Sequence, residues 1–247
     1  MQGQTGPVDA TLYTSYFFDS SYQNFTWVVC GSTVATEGCY ASGQLGPFGT
    51  VGAMMEGVSS GNRKAGTVTR DIYVVDVASG SAGNDVVLYV YKKMDTINAL
   101  SDTVKVSLYK SVTLPLTGGS NAVCSMAANA GYLFIGTDQT PEAVRVQKSN
   151  LSLETVGGFS PPMNVTSITA DAYGYVTVTF GGFLSGENGL IQFGPDGQFE
   201  GDGGGAWFML NTATALSTAG LPQSSSQPAL QLGYRFKGRS TQTDFGR

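Results

Sequence analysis

Short apolar runs of strand length recur along the chain and are separated by turn residues. Residues 71–77 and 86–91 are two such runs, and Gly80, Gly83 and Asn84 lie in the segment between them. Two strand-like runs joined by a Gly-rich loop predict a β-hairpin. Apolar residues show no sustained helical period in any window, although residues 94–100 and 211–219 could each form a short helix. The pattern therefore predicts an all-β fold.

Composition excludes several classes of function. The 247 residues contain no histidine, which excludes Ser-His-Asp hydrolysis and histidine-ligated zinc. The formal net charge is −5 and the sequence pI is about 4.6, which disfavours binding to nucleic acid. Hydrophobic residues make up 41% of the chain, so that disorder is not expected. No apolar run reaches the roughly 20 residues of a transmembrane helix.

Two segments of the chain resemble each other. Residues 125–132 and 167–175 both have the form of a strand, an Asn or Asp turn, a Gly-Tyr pair and a second strand. Each segment is followed by a further predicted hairpin, so that a four-stranded unit repeats after about 40–50 residues. Repeats of this length and composition are typical of β-propeller blades. The predicted fold is a propeller-like array of four-stranded antiparallel units, with a β-sandwich or a stacked β-fold as the alternative.

The chain thus resembles β-propeller repeat proteins over roughly residues 65–210, without the Trp-Asp dipeptide of WD40 blades. The phrases at residues 114–119 (Leu-Pro-Leu-Thr-Gly-Gly) and 157–162 (Gly-Gly-Phe-Ser-Pro-Pro) are similar to a secreted bacterial family without known function. We expect residues 1–220 to form one all-β domain. Residues 221–247 are expected to form a Pro/Ser-rich linker followed by an edge strand or a mobile tail. The alternation of Leu230, Leu232, Tyr234 and Phe236 predicts that strand.

The three cysteines divide into a pair and a single residue. Cys30 and Cys39 flank a segment rich in Gly, Ser and Thr, which is expected to join two strands. A disulfide between them would contribute about 2.5–3 kcal/mol through the entropy of the unfolded chain. The alternative is a pair of small buried thiols. Cys124 lies in an apolar run and is expected to be a buried free thiol.

Acidic residues are the only groups that could support catalysis or hold a metal. Asp196, Glu200 and Asp202 lie in a Gly-rich loop and are candidate calcium ligands, although their spacing differs from an EF-hand. A flexible Asp-Gly turn is the alternative. A pair of carboxylates could also hydrolyse glycosides, and this is the least favoured function. The candidates for such a pair are Glu56, Asp71, Asp76 and Asp85.

Aromatic residues are concentrated near the N-terminus and could form either a packed core or a ligand-binding face. They are Tyr13, Tyr16, Phe17, Phe18, Tyr22, Phe25 and Trp27. With no catalytic constellation, the sequence favours a secreted, non-catalytic module that binds carbohydrate or protein at the cell surface. The alternative is a structural subunit of an extracellular fibre or surface layer that assembles by strand exchange. The N-terminus shows no signal-peptide pattern, so an extracellular location implies a mature or trimmed chain.

Overall fold

The computed structural model describes residues 11–32, 37–57, 67–96, 103–156, 164–181, 187–198 and 208–211. Within these ranges every regular element is a strand, and the strands form four antiparallel sheets. The all-β prediction is therefore confirmed. A closed propeller ring is not confirmed, and the predicted boundary between residues 220 and 221 lies outside the described ranges.

Sheet I contains three strands and sheet II contains four. Sheet I is formed by β1 (Thr11–Phe18), β2 (Phe25–Ser32) and β3 (Glu37–Leu45) in that order. Sheet II is formed by β4 (Val51–Glu56), β5 (Thr67–Ser79), β6 (Asp85–Thr96) and β7 (Thr103–Thr117). The hairpin predicted at residues 71–91 is the β5–β6 pair. Met94 belongs to β6, so the short helix that the sequence allowed at residues 94–100 does not begin at Met94.

Sheets III and IV each contain four strands in the order of the chain. Sheet III is formed by β8 (Cys124–Ala128), β9 (Tyr132–Thr137), β10 (Ala143–Gln147) and β11 (Leu153–Val156). Sheet IV is formed by β12 (Asn164–Ala170), β13 (Val176–Gly181), β14 (Glu187–Phe193) and β15 (Phe208–Asn211). The repeat seen in the sequence therefore corresponds to two successive four-stranded sheets.

The first turn of each repeat is built in the same way. The backbone N–H of Asn129 donates to the carbonyl of Tyr132 at 3.0 Å, and that of Asp171 donates to the carbonyl of Tyr175 at 2.9 Å. The side-chain Oδ1 of each turn residue also accepts two backbone N–H groups from within its own turn. Asn and Asp both favour such turns because their short side chains can bond to the following backbone. The repeat is therefore one of turn chemistry as well as of strand pattern.

The strands divide into two compact units, and the division falls within β6 and β7. One unit comprises Met1–Gly83 with Val87–Thr113, and the other comprises Asn84–Val86 with Leu114–Arg247. In the first unit, sheets I and II share one apolar cluster, formed by Phe25, Trp27, Val29, Leu45, Phe48, Ile72, Val74 and Tyr91.

Sheets III and IV share a second apolar cluster. It contains Ala127, Phe134, Ala143, Val165, Ile168, Val176, Val178, Phe180, Ile191 and Phe193. Val176, Val178 and Phe180 alternate along β13 and all contribute to this cluster. Leu108 continues the alternation of Val104 and Val106 along β7, yet its side chain is 54% exposed.

Candidate functional site

The turn between β1 and β2 is organised by the carboxylate of Asp19. Its Oδ1 accepts the Ser21 hydroxyl at 3.1 Å and the backbone N–H of Gln23 at 2.9 Å. Its Oδ2 accepts the backbone N–H and the side-chain amide of Asn24, at 3.1 and 2.9 Å. These bonds favour the charged form, the side-chain bond from Asn24 most of all, and lower the pKa of Asp19. One carboxylate thus fixes the turn.

The same turn is attached to the segment that leads into β4. The N–H of Phe48 donates to the carbonyl of Gln23 at 2.7 Å, and the N–H of Val51 donates to the carbonyl of Tyr22 at 2.9 Å. Gly46 has a φ of 125°, and a Cβ there would lie 2.6 Å from Asn24 Oδ1. Only glycine allows this close approach. The turn is therefore held in one conformation from both sides.

This turn presents aromatic rings to solvent. Phe17 is 59% exposed, Tyr22 is 55% exposed and Phe18 is 39% exposed. The rings of Phe18 and Tyr22 lie 5.8 Å apart. Tyr22 has a φ of 56°, which is uncommon for a non-glycine residue and occurs frequently at functional sites. We call residues 17–24, which carry these rings, the aromatic tip.

The N-terminal aromatic residues therefore serve two purposes. Phe25 and Trp27 are buried in the core of the first unit, and Tyr16 packs against it. Phe17, Phe18 and Tyr22 are exposed at the aromatic tip. The side chain of Tyr13 lies outside the described part of the structure. The sequence could not separate the two groups, because the pairing register and the turn decide which rings face the core.

The tip combines ring surfaces with polar groups. Rings offer apolar faces that can stack on the C–H faces of a sugar or on an apolar side chain. Gln23 is exposed beside them, and Asn24 and Asp19 are partly exposed. A few polar groups around an apolar surface give a ligand its orientation. The tip therefore presents exposed rings with polar groups beside them, the combination found at ligand-binding surfaces.

A cluster of charged groups lies at the end of the core of the first unit. The Glu56 carboxylate accepts the Tyr16 hydroxyl at 3.0 Å, Arg70 Nη1 at 3.1 Å and Lys93 Nζ at 3.0 Å. Lys93 Nζ also lies 3.6 Å from Asp95 Oδ2. These groups come from β1, β4, β5 and β6, so the pairing of two sheets assembles the cluster. Glu56 was a candidate from the sequence and Asp95 was not, because only Lys93 of this cluster lies near Asp95 along the chain.

The two carboxyl groups of this cluster have pKa values shifted in opposite directions. Burial opposes ionisation of Glu56, but the Lys93 ammonium and three hydrogen bonds outweigh it and lower the pKa. Burial raises the pKa of Asp95, against the attraction of Lys93 and Arg70. Burial and the Glu56 carboxylate raise the pKa of Tyr16. Separated values are typical of acid–base pairs, but Lys93 and Asp95 are only 1% and 4% exposed. A polymer substrate has no access to them.

Replacing Asp95 by asparagine is expected to stabilise the protein at pH 7. Burial raises the pKa of Asp95 in the folded chain above its value in the unfolded chain. The free energy of unfolding therefore falls as the pH rises through the folded-state pKa, and asparagine avoids this loss because it does not ionise. Below about pH 4, where both states are protonated, the stabilisation should vanish. Urea unfolding between pH 4 and pH 7 measures this, with the exposed Asp85→Asn as control. An Asp95→Asn variant that is destabilised equally at every pH would contradict the expectation.

The other three candidate acids, Asp71, Asp76 and Asp85, differ in their contacts. Asp76 accepts three backbone N–H groups and is 1% exposed. Asp71 accepts the Tyr73 hydroxyl at 3.1 Å and Lys92 Nζ at 2.6 Å. Asp85 is exposed at the start of β6. Each of these acids has its own hydrogen-bond partners or exposure, and the glycosidase hypothesis stays a prediction.

The calcium hypothesis lies mostly outside the described residues. Asp196 is exposed, and its Oδ1 accepts the backbone N–H of Gln198 at 3.0 Å within a turn. Glu200 and Asp202 fall in residues 199–207, which the structure does not describe. In the described ranges, no group of three or more acidic or cysteine side chains is close enough to hold a metal ion. The predicted calcium ligands therefore remain a prediction.

The strand register places the two paired cysteines opposite each other. Cys30 of β2 is the partner of Cys39 on β3. The side chain of Cys30 is outside the described part, so that the disulfide remains a prediction supported by the register. Cys124 is a free cysteine at the start of β8. Burial, with a smaller contribution from Asp138, raises the pKa of its thiol to about 12.

Alkylation should distinguish the three cysteines. In the denatured, unreduced chain we expect one cysteine of three to react, and peptide mapping should identify it as Cys124. In the native chain at pH 8 the reaction of Cys124 should be slow, because the thiolate is the nucleophile and is scarce. Labelling of all three cysteines without reductant would show that Cys30 and Cys39 are not bridged.

The comparisons with known proteins identify no relative. The sequence matches no protein-family model, and no curated protein matches it either. Over the residues that the structure describes, no helix has the length and apolarity needed to cross a membrane.

Proposed function

We propose that this chain is a secreted, non-catalytic module that recognises a carbohydrate or a protein at a cell surface. The observation that supports the proposal is the aromatic tip, where a fixed turn holds Phe17 and Tyr22 outward. Exposed rings on a preformed loop bind at a low entropic cost, because little has to be ordered on association. The low charge of the chain agrees with a neutral ligand.

Carbohydrate is the first ligand class to test. Ring faces stack on sugar C–H groups, and Gln23 and Asn24 are amides of the kind that bond sugar hydroxyls. The ring of Tyr22 carries a hydroxyl of its own at the edge of the apolar surface. A protein ligand would use the same rings as anchors in an apolar pocket of the partner.

Loss of the Tyr22 ring is expected to weaken ligand binding at least tenfold without lowering the melting temperature. Central aromatic residues contribute about 2 kcal/mol or more to many interfaces. A glycan array selects the ligand, and calorimetric titration then compares Tyr22→Ala and Phe17→Ala with the parent chain. Tyr173→Ala is the matched control, since Tyr173 is 72% exposed on a different turn.

The outcomes of this experiment separate the proposals. If no glycan binds, the same variants are compared for binding to surface proteins of the source cell. If a ligand binds and Tyr173→Ala weakens it as much as Tyr22→Ala, the aromatic tip is not the site. If neither glycan nor protein binds, the binding module is refuted.

The second candidate is a structural subunit that assembles by strand exchange. It is supported by sheet I, in which the described residues form three strands, while they form four in each of sheets II, III and IV. An incomplete sheet can accept a strand from a neighbouring molecule. Light scattering and negative-stain images of the purified chain test this candidate. It predicts fibres or sheets for the full chain and their loss when the residues after Leu221 are deleted.

A further inference from the structure

The outer edge of sheet II is uncovered along the middle of β7. Sheet II has the strand order β4-β5-β6-β7, so that among the described residues β7 has β6 as its one strand neighbour. The side chains from Ser107 to Ser111 are all exposed, although successive residues point to opposite faces of the strand. An edge of this kind presents backbone N–H and C=O groups that an extended segment can bind.

Each face of this edge carries one large apolar side chain and one lysine. Leu108, which is 54% exposed, shares a face with the exposed Lys110. Tyr109, which is 62% exposed, shares the other face with the exposed Lys105. A strand added beside β7 would therefore cover apolar surface on both faces and meet a positive charge on each.

Contacts with β6 and with the core hold the two apolar side chains at the edge. Lys92 Nζ of β6 lies 4.8 Å from the centroid of the Tyr109 ring and 2.6 Å from Asp71 Oδ1. Leu108 shares the face of Val106, which packs against the apolar cluster of the first unit. A surface that is already ordered binds an extended segment at a lower entropic cost.

The charge of this edge differs from that of the whole chain. The formal net charge of the chain is −5, whereas residues 103–113 contain two lysines and no acidic residue. A second copy of β7 would bring two more lysines to the edge, and like charges on paired strands are destabilising. An acidic segment would instead be attracted. The lysines therefore disfavour self-pairing and favour an acidic strand.

We propose that residues 105–111 of β7 bind an extended, acidic peptide segment of a protein partner, which adds to sheet II as a further strand. Lys105 and Lys110 are five positions apart, or about 17 Å along a strand. The segment carries carboxylates at the same spacing and apolar side chains opposite Leu108 and Tyr109. This surface belongs to β7, whereas the aromatic tip belongs to the turn between β1 and β2.

Synthetic peptides test the charge and the order of residues in such a segment. The acidic probe is Thr-Glu-Ile-Val-Thr-Val-Glu, which in antiparallel pairing places its glutamates opposite Lys110 and Lys105. The basic control has lysine at both glutamate positions, and the scrambled control is Glu-Glu-Thr-Thr-Val-Ile-Val. In calorimetric titrations of the full-length protein at low salt, the acidic probe should bind at least tenfold more tightly than either control.

Two results of the titrations would overturn the proposal. Equal binding of the acidic and scrambled peptides would show that charge alone accounts for binding and that no paired strand forms. Failure of the acidic probe to bind at millimolar concentration would show that the edge does not accept such a segment.

Variants of the protein test the two lysines. Lys105→Gln combined with Lys110→Gln should weaken binding of the acidic probe about fivefold, since each exposed ion pair contributes modestly. Ala130→Glu combined with Ser149→Glu is the matched control, because it also makes the net charge more negative by two, at exposed residues outside β7. Equal weakening by both pairs of substitutions would overturn the role of the β7 lysines.

Hydrogen exchange of the full-length protein tests where the probe binds. The acidic probe should slow exchange at least tenfold at alternate amides between Lys105 and Ser111, because every second N–H of an edge strand points away from its neighbour. Amides of β11, the outer strand of sheet III, should keep their rate. Slowed exchange in β11 to the same extent would overturn the proposed site.

Exchange without the probe tests the other occupants of the edge. Complete protection of β7 in the dilute protein would show that the chain itself covers the edge. Protection that rises with protein concentration would show that a second copy covers it, and either result would overturn the proposal. Tyr22→Ala should leave the affinity for the acidic probe unchanged, so that this proposal and ligand binding at the aromatic tip fail separately.

Discussion

Replacing Asp76 by alanine is expected to lower the free energy of unfolding by about 3–5 kcal/mol, a large share of the 5–15 kcal/mol typical of a folded domain. Its carboxylate accepts the backbone N–H groups of Gly49 at 2.8 Å, Thr50 at 2.9 Å and Ala78 at 3.1 Å. The side chain is 1% exposed, so water has little access to replace it. Alanine leaves these donors without their partner.

Two further variants make this expectation specific. Asp76→Asn retains one acceptor oxygen and places an NH₂ group against the remaining donors, so about half of the loss is expected. Asp85→Ala removes an exposed carboxylate from the same hairpin and should change stability by less than about 0.5 kcal/mol. Urea unfolding measures all three variants. Equal losses for Asp76→Ala and Asp85→Ala would show that the hydrogen bonds of Asp76 are not what stabilises the connection from sheet I to sheet II.

Replacing Gly197 by alanine is expected to cost about 2–5 kcal/mol. Gly197 has a φ of 74°, where a side chain costs about 1–2 kcal/mol. A Cβ there would also lie 2.5 Å from Tyr132 Cδ2 and 2.8 Å from Tyr132 Cζ. The aromatic ring belongs to β9 and the glycine to the turn after β14. Overpacking of this kind adds about 1–3 kcal/mol.

Gly131→Ala is the control, since a Cβ at Gly131 meets no atom within 4 Å and its φ is not positive. We expect its free energy of unfolding to stay within about 0.5 kcal/mol of the parent value, or to rise slightly. Thermal or urea unfolding compares the two variants. In a Tyr132→Ala background the ring is absent, and Gly197→Ala should then cost only the backbone strain. If Gly197→Ala still lowers the free energy of unfolding by the full amount in that background, the role assigned to the Tyr132 ring is wrong.

Turn chemistry made much of the repeat predictable. Asn129 and Asp171, each followed by a Gly-Tyr pair, indicated two equivalent turns, and their hydrogen bonds are equivalent in the structure. Leu108 shows where the strand pattern fails. Its alternation with Val104 and Val106 would favour burial, but burial depends on what packs against that part of β7, and no local pattern contains that information.

The candidate site was predicted only in part. The N-terminal aromatic residues were visible as a group, yet their division into core and surface required the register of β1 and the turn at Asp19. Asp95 could not be associated with Glu56 from the sequence, because 38 residues lie between them along the chain. Cys30 and Cys39 are partners in the register of β2 and β3, and the disulfide between them stays a prediction.

The sequence by itself determined the strand content and the Asn and Asp turns of the repeat, because these depend on residues that are neighbours along the chain. Its lack of histidine excluded histidine chemistry. The tertiary structure alone decided that Asp76 binds three distant N–H groups, that Glu56, Lys93 and Asp95 form one cluster, and that Phe17 and Tyr22 face outward. Such contacts join residues from different strands. They form only when sheets pair and pack, and packing responds to the volume and burial of the whole core.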